Sequence, residues 1–243
     1  MTKYPSVSFT EPFFKPTHPA EDSFLINKKF PIYAVADGVT LQIPEGKKYP
    51  RVSGAKMAAD IFCKESVKFM EKKWKNLNFK KSLKNAFGAA NLQIFNLNKK
   101  HNGSFSCTAA LGFIKNDIFY GARLCDSGIN VLDRSGATKF KSPEFWAELK
   151  RRGQNNYGVL NGKKEMLKFI DFYKIKLNKG DIVIIYTDGF ENYFALDKFK
   201  KIFKNWENGK LLTRNLEMIV NEKSKKNFKL YGLEKTLIAV KYE

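Results

Sequence analysis

A chain of 243 residues, 43% of them hydrophobic, can bury one or two cores, which excludes general disorder. Its 44 Lys and Arg against 24 Asp and Glu leave a net charge of +20, but the charge is mostly lysine spread over predicted helix faces. A solvated surface is therefore favoured over a nucleic-acid interface, since charge alone does not define a site.

The three cysteines, Cys63, Cys107 and Cys125, are too scattered for a disulfide framework or a zinc knuckle and read as small buried apolar groups. The N-terminal "MTKYPSVSFTEPFFKP" lacks the apolar core of a signal peptide, and no stretch approaches about eighteen apolar residues, so a cytoplasmic protein with no membrane span is expected. No Pro/Gly/Ser-rich linker interrupts the chain and no repeat is found, so a single domain over 1–243 is expected.

In chain order, "SVSF" and "SFLINKK" read as short strands, followed by Phe30 to Ala36. Ser53 is a predicted N-cap for a helix to Lys73, with Ala55, Ala58, Ala59, Phe62, Val67 and Met70 on its apolar face. A second helix, Phe79 to Asn98, carries Leu83, Phe87, Ala90, Ile94 and Leu97 as one stripe. "SCTAALGFIKNDIFYGARL" reads as a hairpin turning at Asn116-Asp117, and "INVLDRSGATKF" as another around Ser135-Gly136. "PEFWAELKRRG" is a short helix, "MLKFIDFYKIKL" and "DIVIIYT" are strands, two lysine-rich helices follow, and "KTLIAVKY" is the last strand. Successive hairpins with paired helices indicate an α+β fold, and a four-layer α/β/β/α sandwich with mainly antiparallel sheets fits.

Three of these strands end in a carboxylate beside a small residue: "YAVADGV" at Asp37, "ARLCDSG" at Asp126 and "IIYTDGF" at Asp188. Each Asp-Gly alone is ordinarily a strand running into a turn in which glycine supplies positive φ. Together with Glu21-Asp22, and with no His or Cys cluster, the set suits a hard cation such as Mg²⁺ or Mn²⁺ rather than zinc.

The order of these motifs resembles the metal-dependent protein serine/threonine phosphatases, the type 2C or PPM family, in a bacterial-like form. "PAEDSFL", "YAVADGV", "SCTAAL", "ARLCDSGI", "KGDIVIIYTDGF" and "GLEKTLIAV" are similar to six family motifs in their correct order, and "YGVLNGKKE" is similar to bacterial members. The resemblance implies two sheets flanked by helix pairs and a cleft at one edge holding two Mg²⁺ or Mn²⁺ ions. It assigns a bridging role to Asp37, a backbone ligand to Gly38, first-ion ligands to Asp188 and Glu234, water-holding roles to Glu21 and Asp22, and a weaker third ion to Asp126. Catalysis then rests on Asp37 and Asp188, with a phosphorylated protein as substrate and a cognate Ser/Thr kinase as counterpart.

The family's phosphate-binding arginine corresponds to Thr17, which leaves Lys15 and His18 as candidate substitutes. Val39-Thr40 follow the central Asp-Gly, and the proposed general-acid histidine of some members is absent. Glu234-Lys235 stand where the family has Asp-Asn, which makes Lys235 a third phosphate-binding candidate. The expected function is metal-dependent phosphoprotein phosphatase. The alternatives are a pseudophosphatase or partner-binding scaffold and, less favoured, a nucleic-acid-associated basic protein.

Overall fold

The computed structural model describes residues 4–13, 18–42, 48–151, 153 and 158–243. In chain order the strands are β1 (Ser6–Glu11), β2 (Ser23–Ile26), β3 (Ile32–Gly38), β4 (Cys107–Lys115), β5 (Ile118–Leu124), β6 (Gly128–Leu132), β7 (Thr138–Lys141), β8 (Asp171–Lys176), β9 (Ile182–Tyr186) and β10 (Lys235–Lys241). The helices are α1 (Gly54–Lys73), α2 (Phe79–His101), α3 (Phe145–Arg151), α4 (Asp197–Lys204), α5 (Gly209–Lys226) and α6 (Phe228–Tyr231).

Local chemistry sets the element ends. The Ser53 hydroxyl accepts from the amides of Ala55 and Lys56, satisfying donors that the first turn of α1 leaves free. Asn78 caps α2 in the same way, and Asn102 closes it in the left-handed region at φ 47°. Asn116 and Asp117 both take positive φ, 51° and 58°, the geometry whose twist matches a two-residue hairpin between β4 and β5.

All strand pairs are antiparallel, in two sheets ordered β1-β10-β9-β6-β7 and β2-β3-β4-β5-β8. Side-chain alternation divides the core into three apolar layers. Tyr33, Val35, Ala110, Ile129, Val183, Ile185 and Ile238 meet between the sheets. Ala34, Ala36, Leu111 and Leu124 face Phe62, Met70 and Phe87 of α1 and α2. Ile184, Tyr186, Leu237 and Ala239 face Phe199, Leu216 and Ile219 of α4 and α5. The result is the α/β/β/α sandwich, with each sheet buried on both sides. All three cysteines are free and buried.

The structure departs from the sequence expectation in two places. The run read as one strand from Met166 splits: 164–169 is a 3-10 segment, and only Asp171–Lys176 joins the sheet. Leu167 and Phe169 pack on the α1/α2 layer, while Asn91 of α2 donates to the Lys163 carbonyl, 3.1 Å, and accepts from the Gly162 amide, 2.9 Å. These contacts draw the segment onto α2, away from the sheet edge. The two Asp-Gly pairs, moreover, are not positive-φ turns: φ is positive at Gly136, Gly153, Gly162 and Gly180 among the described glycines, and Gly38 and Gly189 have ordinary backbone.

Gly38 is instead the last residue of β3, and a Cβ there would lie 2.6 Å from the Ala55 carbonyl carbon. A Cβ on Gly189 would lie 1.9 Å from the Glu234 carbonyl oxygen. Both glycines serve close backbone approach, and the two approaches bring the ends of β3 and β9 against α1 and β10.

Candidate active site at the open end of the sandwich

Alternation along β3 puts Asp37 on the face of Tyr33 and Val35, between the sheets and at the strand's end. Its cross-strand neighbour is Thr108 of β4. The turn after β5 supplies Asp126 and the turn after β9 supplies Asp188. Asp37, Gly38, Thr108, Asp126, Asp188 and Glu234 line one cleft of about 250 Å³, whose apolar lining is Phe13, Val39 and Leu233.

Hydroxyl groups fix the acids. Thr187 donates to Asp22 Oδ2 at 2.8 Å, while its Oγ1 accepts the Thr236 amide at 2.8 Å, so Asp22 is tied to the ends of β9 and β10. Thr108 and Ser127 share a 3.0 Å hydrogen bond beside Asp126. The carboxylate of Glu21 is occupied on both oxygens: Tyr49 at 2.5 Å and Ser53 donate to Oε1, and Thr40 donates to Oε2 at 2.9 Å. Glu21 does not line the cleft. His18 stands 3.5 Å from Glu21 Oε2, contacts Thr40 at 3.3 Å and donates through Nδ1 to the Pro19 carbonyl.

The electrostatics of the cluster are those of a site short of positive charge. Burial, then the carboxyls of Asp22, Asp188, Asp126 and Glu234, push Asp37 well above the ordinary carboxylate range. Burial and Glu234 raise Asp22 to about 8, against the opposing hydroxyls of Thr187 and Thr236. Burial and Asp126 raise Asp188 to about 7. Asp126 and Glu234 are also raised, chiefly by burial. Among the described residues none of these five acids pairs with a Lys or Arg, although the chain carries +20 overall.

Buried charges without partners are costly, and Asp126 Oδ1 is a buried acceptor with no hydrogen-bond donor. Both facts fit a hard divalent cation held by oxygen. Among the described residues no three His, Cys, Asp or Glu side chains meet as a ready-made chelate. A Mg²⁺-type ion that keeps several waters needs only one or two direct carboxylates, so the donor set still fits.

Two positions behave in ways the residue types alone do not show. Glu234 directs its carboxylate at backbone amides, accepting Glu21 N on both oxygens at 2.9 and 2.8 Å and Asp22 N at 2.9 Å. Lys235 lies, by alternation, on the helix-facing side of β10 with Leu237 and Ala239 and opposite Glu11. It is fully buried, its Nζ donates to the Leu233 carbonyl, and burial lowers its pKa to about 8. It does not line the cleft. Lys15 and Thr17 lie outside the described residues.

Sequence reasoning found Asp37, Gly38, Asp126, Asp188 and Glu234, which the structure gathers in the cleft, and Asp22 beside it. It missed Tyr49, Thr187 and Thr236, whose only signal is a hydroxyl at a strand end or in a loop.

The family model described as Protein phosphatase 2C matches residues 16–212. No curated protein matches the chain by sequence. Among solved structures, the Mycobacterium tuberculosis serine/threonine phosphatase PstP/Ppp superposes with a TM-score of 0.73 at 14% identity over 98% of both chains. The catalytic domain of PstP in complex with two manganese ions gives 0.65 at 14% identity, also over 98% of both chains. RsbX in complex with magnesium gives 0.60 at 14% identity over 98% of this chain and 94% of its own. These likenesses are of fold.

Proposed function

The chain belongs to the protein phosphatase 2C family of hydrolases, and on that premise we propose that residues 1–243 act as one catalytic domain removing phosphate from phosphoserine and phosphothreonine of cytoplasmic proteins. The observation that carries this reading is the cluster of buried acids that, among the described residues, form no ion pair with Lys or Arg and lie at a cleft at the sandwich end. Asp37 and Asp188 would hold two Mg²⁺ or Mn²⁺ ions, with the Gly38 carbonyl beside Asp37 and Asp126 reaching a weaker third. When bound, such a pair supplies an acidified water as nucleophile and positive charge for the phosphoryl oxygens.

The protein's own part is positioning. Thr187 and Thr236 hold Asp22, and Tyr49, Ser53 and Thr40 hold Glu21, so neither acid is free to swing. Water attacks phosphorus in line, the P–O bond to the seryl or threonyl oxygen breaks, and the products are the free hydroxyl and inorganic phosphate. The partly exposed Val39 and Leu233 border the acids and offer apolar contact to a peptide substrate. A Ser/Thr kinase acting on the same proteins would be the natural counterpart.

Glu234 favours a second reading, because its carboxylate is already engaged by two backbone amides, of Glu21 and Asp22: a pseudophosphatase that binds partners without turnover. The two separate in one experiment. Hydrolysis of a phosphothreonine peptide is measured against Mn²⁺ and Mg²⁺ for the parent chain and Asp37→Asn. Turnover that needs metal and is lost in the variant supports the enzyme; no turnover at any metal concentration leaves the scaffold.

A further inference from the structure

The phosphatase reading leaves unexplained a groove of about 550 Å³ between α2 and the 3-10 segment at 164–169. Its floor is apolar: Gly88, Leu92 and Phe95 of α2 face Leu167 across it. Leu92 is 55% exposed and Phe95 49% exposed, on a helix whose other apolar residues are buried or half-buried. Asn91 holds the far wall in place through its bonds to Gly162 and Lys163. A Cβ on Gly162 would meet the Phe95 Cα at 2.7 Å, so this wall sits against the helix backbone.

The charge around the groove is predominantly positive. Lys84, Gly88, Leu92, Phe95 and Lys99 succeed one another at three- and four-residue spacing, so an exposed lysine stands at each end of the apolar floor. Lys164 is on the wall. The α2 sequence contains Lys80, Lys81, Lys84, Lys99 and Lys100 and no Asp or Glu; Glu165 is the one acid on the facing segment. Fifteen residues from Lys84 to Lys99 span about 22 Å of helix, the length of a four-turn partner.

We propose that this groove docks an acidic amphipathic helix of a partner protein, its Leu or Phe anchors seated over Gly88 and between Phe95 and Leu167, its Asp and Glu at Lys84, Lys99 and Lys164. Helix-in-groove recognition needs an apolar stripe and gains register from flanking charge. Charge complementarity selects this occupant over a second copy of the chain, which at +20 would bring its own lysines to the face.

The probe is a fluorescein-labelled synthetic helix of about eighteen residues with Leu and Phe at i, i+3, i+4 and i+7 and Glu at both ends. Anisotropy is read against the full chain in low salt. Saturable binding is expected, weakened about tenfold or more by Leu92→Asp, Phe95→Asp and the groove-filling Gly88→Leu. Lys84→Glu with Lys99→Glu should also weaken it. A Cβ at Gly88 would stand at ordinary contact distance, 3.6 Å, from Leu167, and circular dichroism with thermal melting checks that each variant folds. No binding, equal binding of a scrambled peptide, or binding indifferent to these substitutions overturns the proposal. A dimer of the unliganded chain that Phe95→Asp dissociates in sedimentation assigns the groove to a second copy and likewise overturns it.

Discussion

Glu234 and Glu21 meet carboxylate to backbone: the amide of Glu21 donates to both carboxylate oxygens of Glu234, 2.9 and 2.8 Å, and the next amide, of Asp22, donates to one of them at 2.9 Å. The start of β10 thereby holds the segment that carries Glu21 and Asp22. An aspartate at 234, one methylene shorter, would not reach these amides from the same backbone. The longer side chain has a structural task that the Glu-for-Asp exchange alone did not reveal.

Glu234→Asp and Glu234→Ala are accordingly expected to destabilise the fold, by about 2–3 kcal/mol, because hydrogen bonds to a charged acceptor contribute about 1.5–3 kcal/mol and buried amides would be left unpaired. For a chain of this size that lowers Tm by roughly 5–10 °C. Calorimetry in EDTA is the check, and an unchanged Tm for Glu234→Ala would show that the amide bonds contribute nothing.

Without metal, stability should fall as pH rises from about 5.5 to 8. Burial raises Asp22 to about 8 and Asp188 to about 7, from an ordinary value of 3.8. The folded chain keeps protons in that window that the unfolded chain has released, so each raised carboxyl costs up to about 1.4 kcal/mol per pH unit on the way up. Tm in EDTA measured across this range should show the fall, Asp22→Asn should flatten it, and saturating Mg²⁺ should remove it. A flat EDTA profile for the parent chain would mean these acids are ionised without cost.

How far the sequence carried depended on the kind of signal. Asp37, Asp126 and Asp188 were visible because apolar strands end on them, a pattern local to each strand. The sandwich was visible because alternating and three-to-four-residue spacings are also local. The split at 164–169 was not, because Leu167 and Phe169 fit a strand as well as a helix-facing turn, and Asn91, more than seventy residues away, decides between them. The positive-φ turn reading of both Asp-Gly pairs does not hold, since their φ is ordinary; contact with Ala55 and Glu234 is what requires the glycines.

That contact makes a sharp test. Gly189→Ala would place Cβ 1.9 Å from the Glu234 carbonyl oxygen, and Gly38→Ala would place it 2.6 Å from the Ala55 carbonyl carbon. Backbone must move in each case, so losses of about 1–3 kcal/mol or more are expected together with displaced Asp188 or Asp37 and lost turnover. Gly88→Ala on α2, with 3.6 Å to Leu167, is the control and should stabilise by up to about 1 kcal/mol. Equal melting of Gly38→Ala and Gly88→Ala would overturn the close-approach argument.

Lys235 is buried on the helix-facing side of β10, with its Nζ on the Leu233 carbonyl, and it feels the charges of Glu11, Asp22, Glu234 and Asp188. It is thus a fixed cation close to acids proposed to hold metal. Coulomb repulsion between this cation and a dication held by those acids would weaken metal binding. Lys235→Met keeps the apolar stem and removes the charge, and Mn²⁺ titration by calorimetry at pH 7 should show tighter binding. Titration of the lysine gives an independent sign. Its pKa falls from 10.5 to about 8 on folding, so between these values the unfolded chain binds more protons and the parent's stability, relative to Lys235→Met, should rise with pH. Mn²⁺ affinity equal in the two proteins would show that the Lys235 charge does not reach the metal site, whatever its titration.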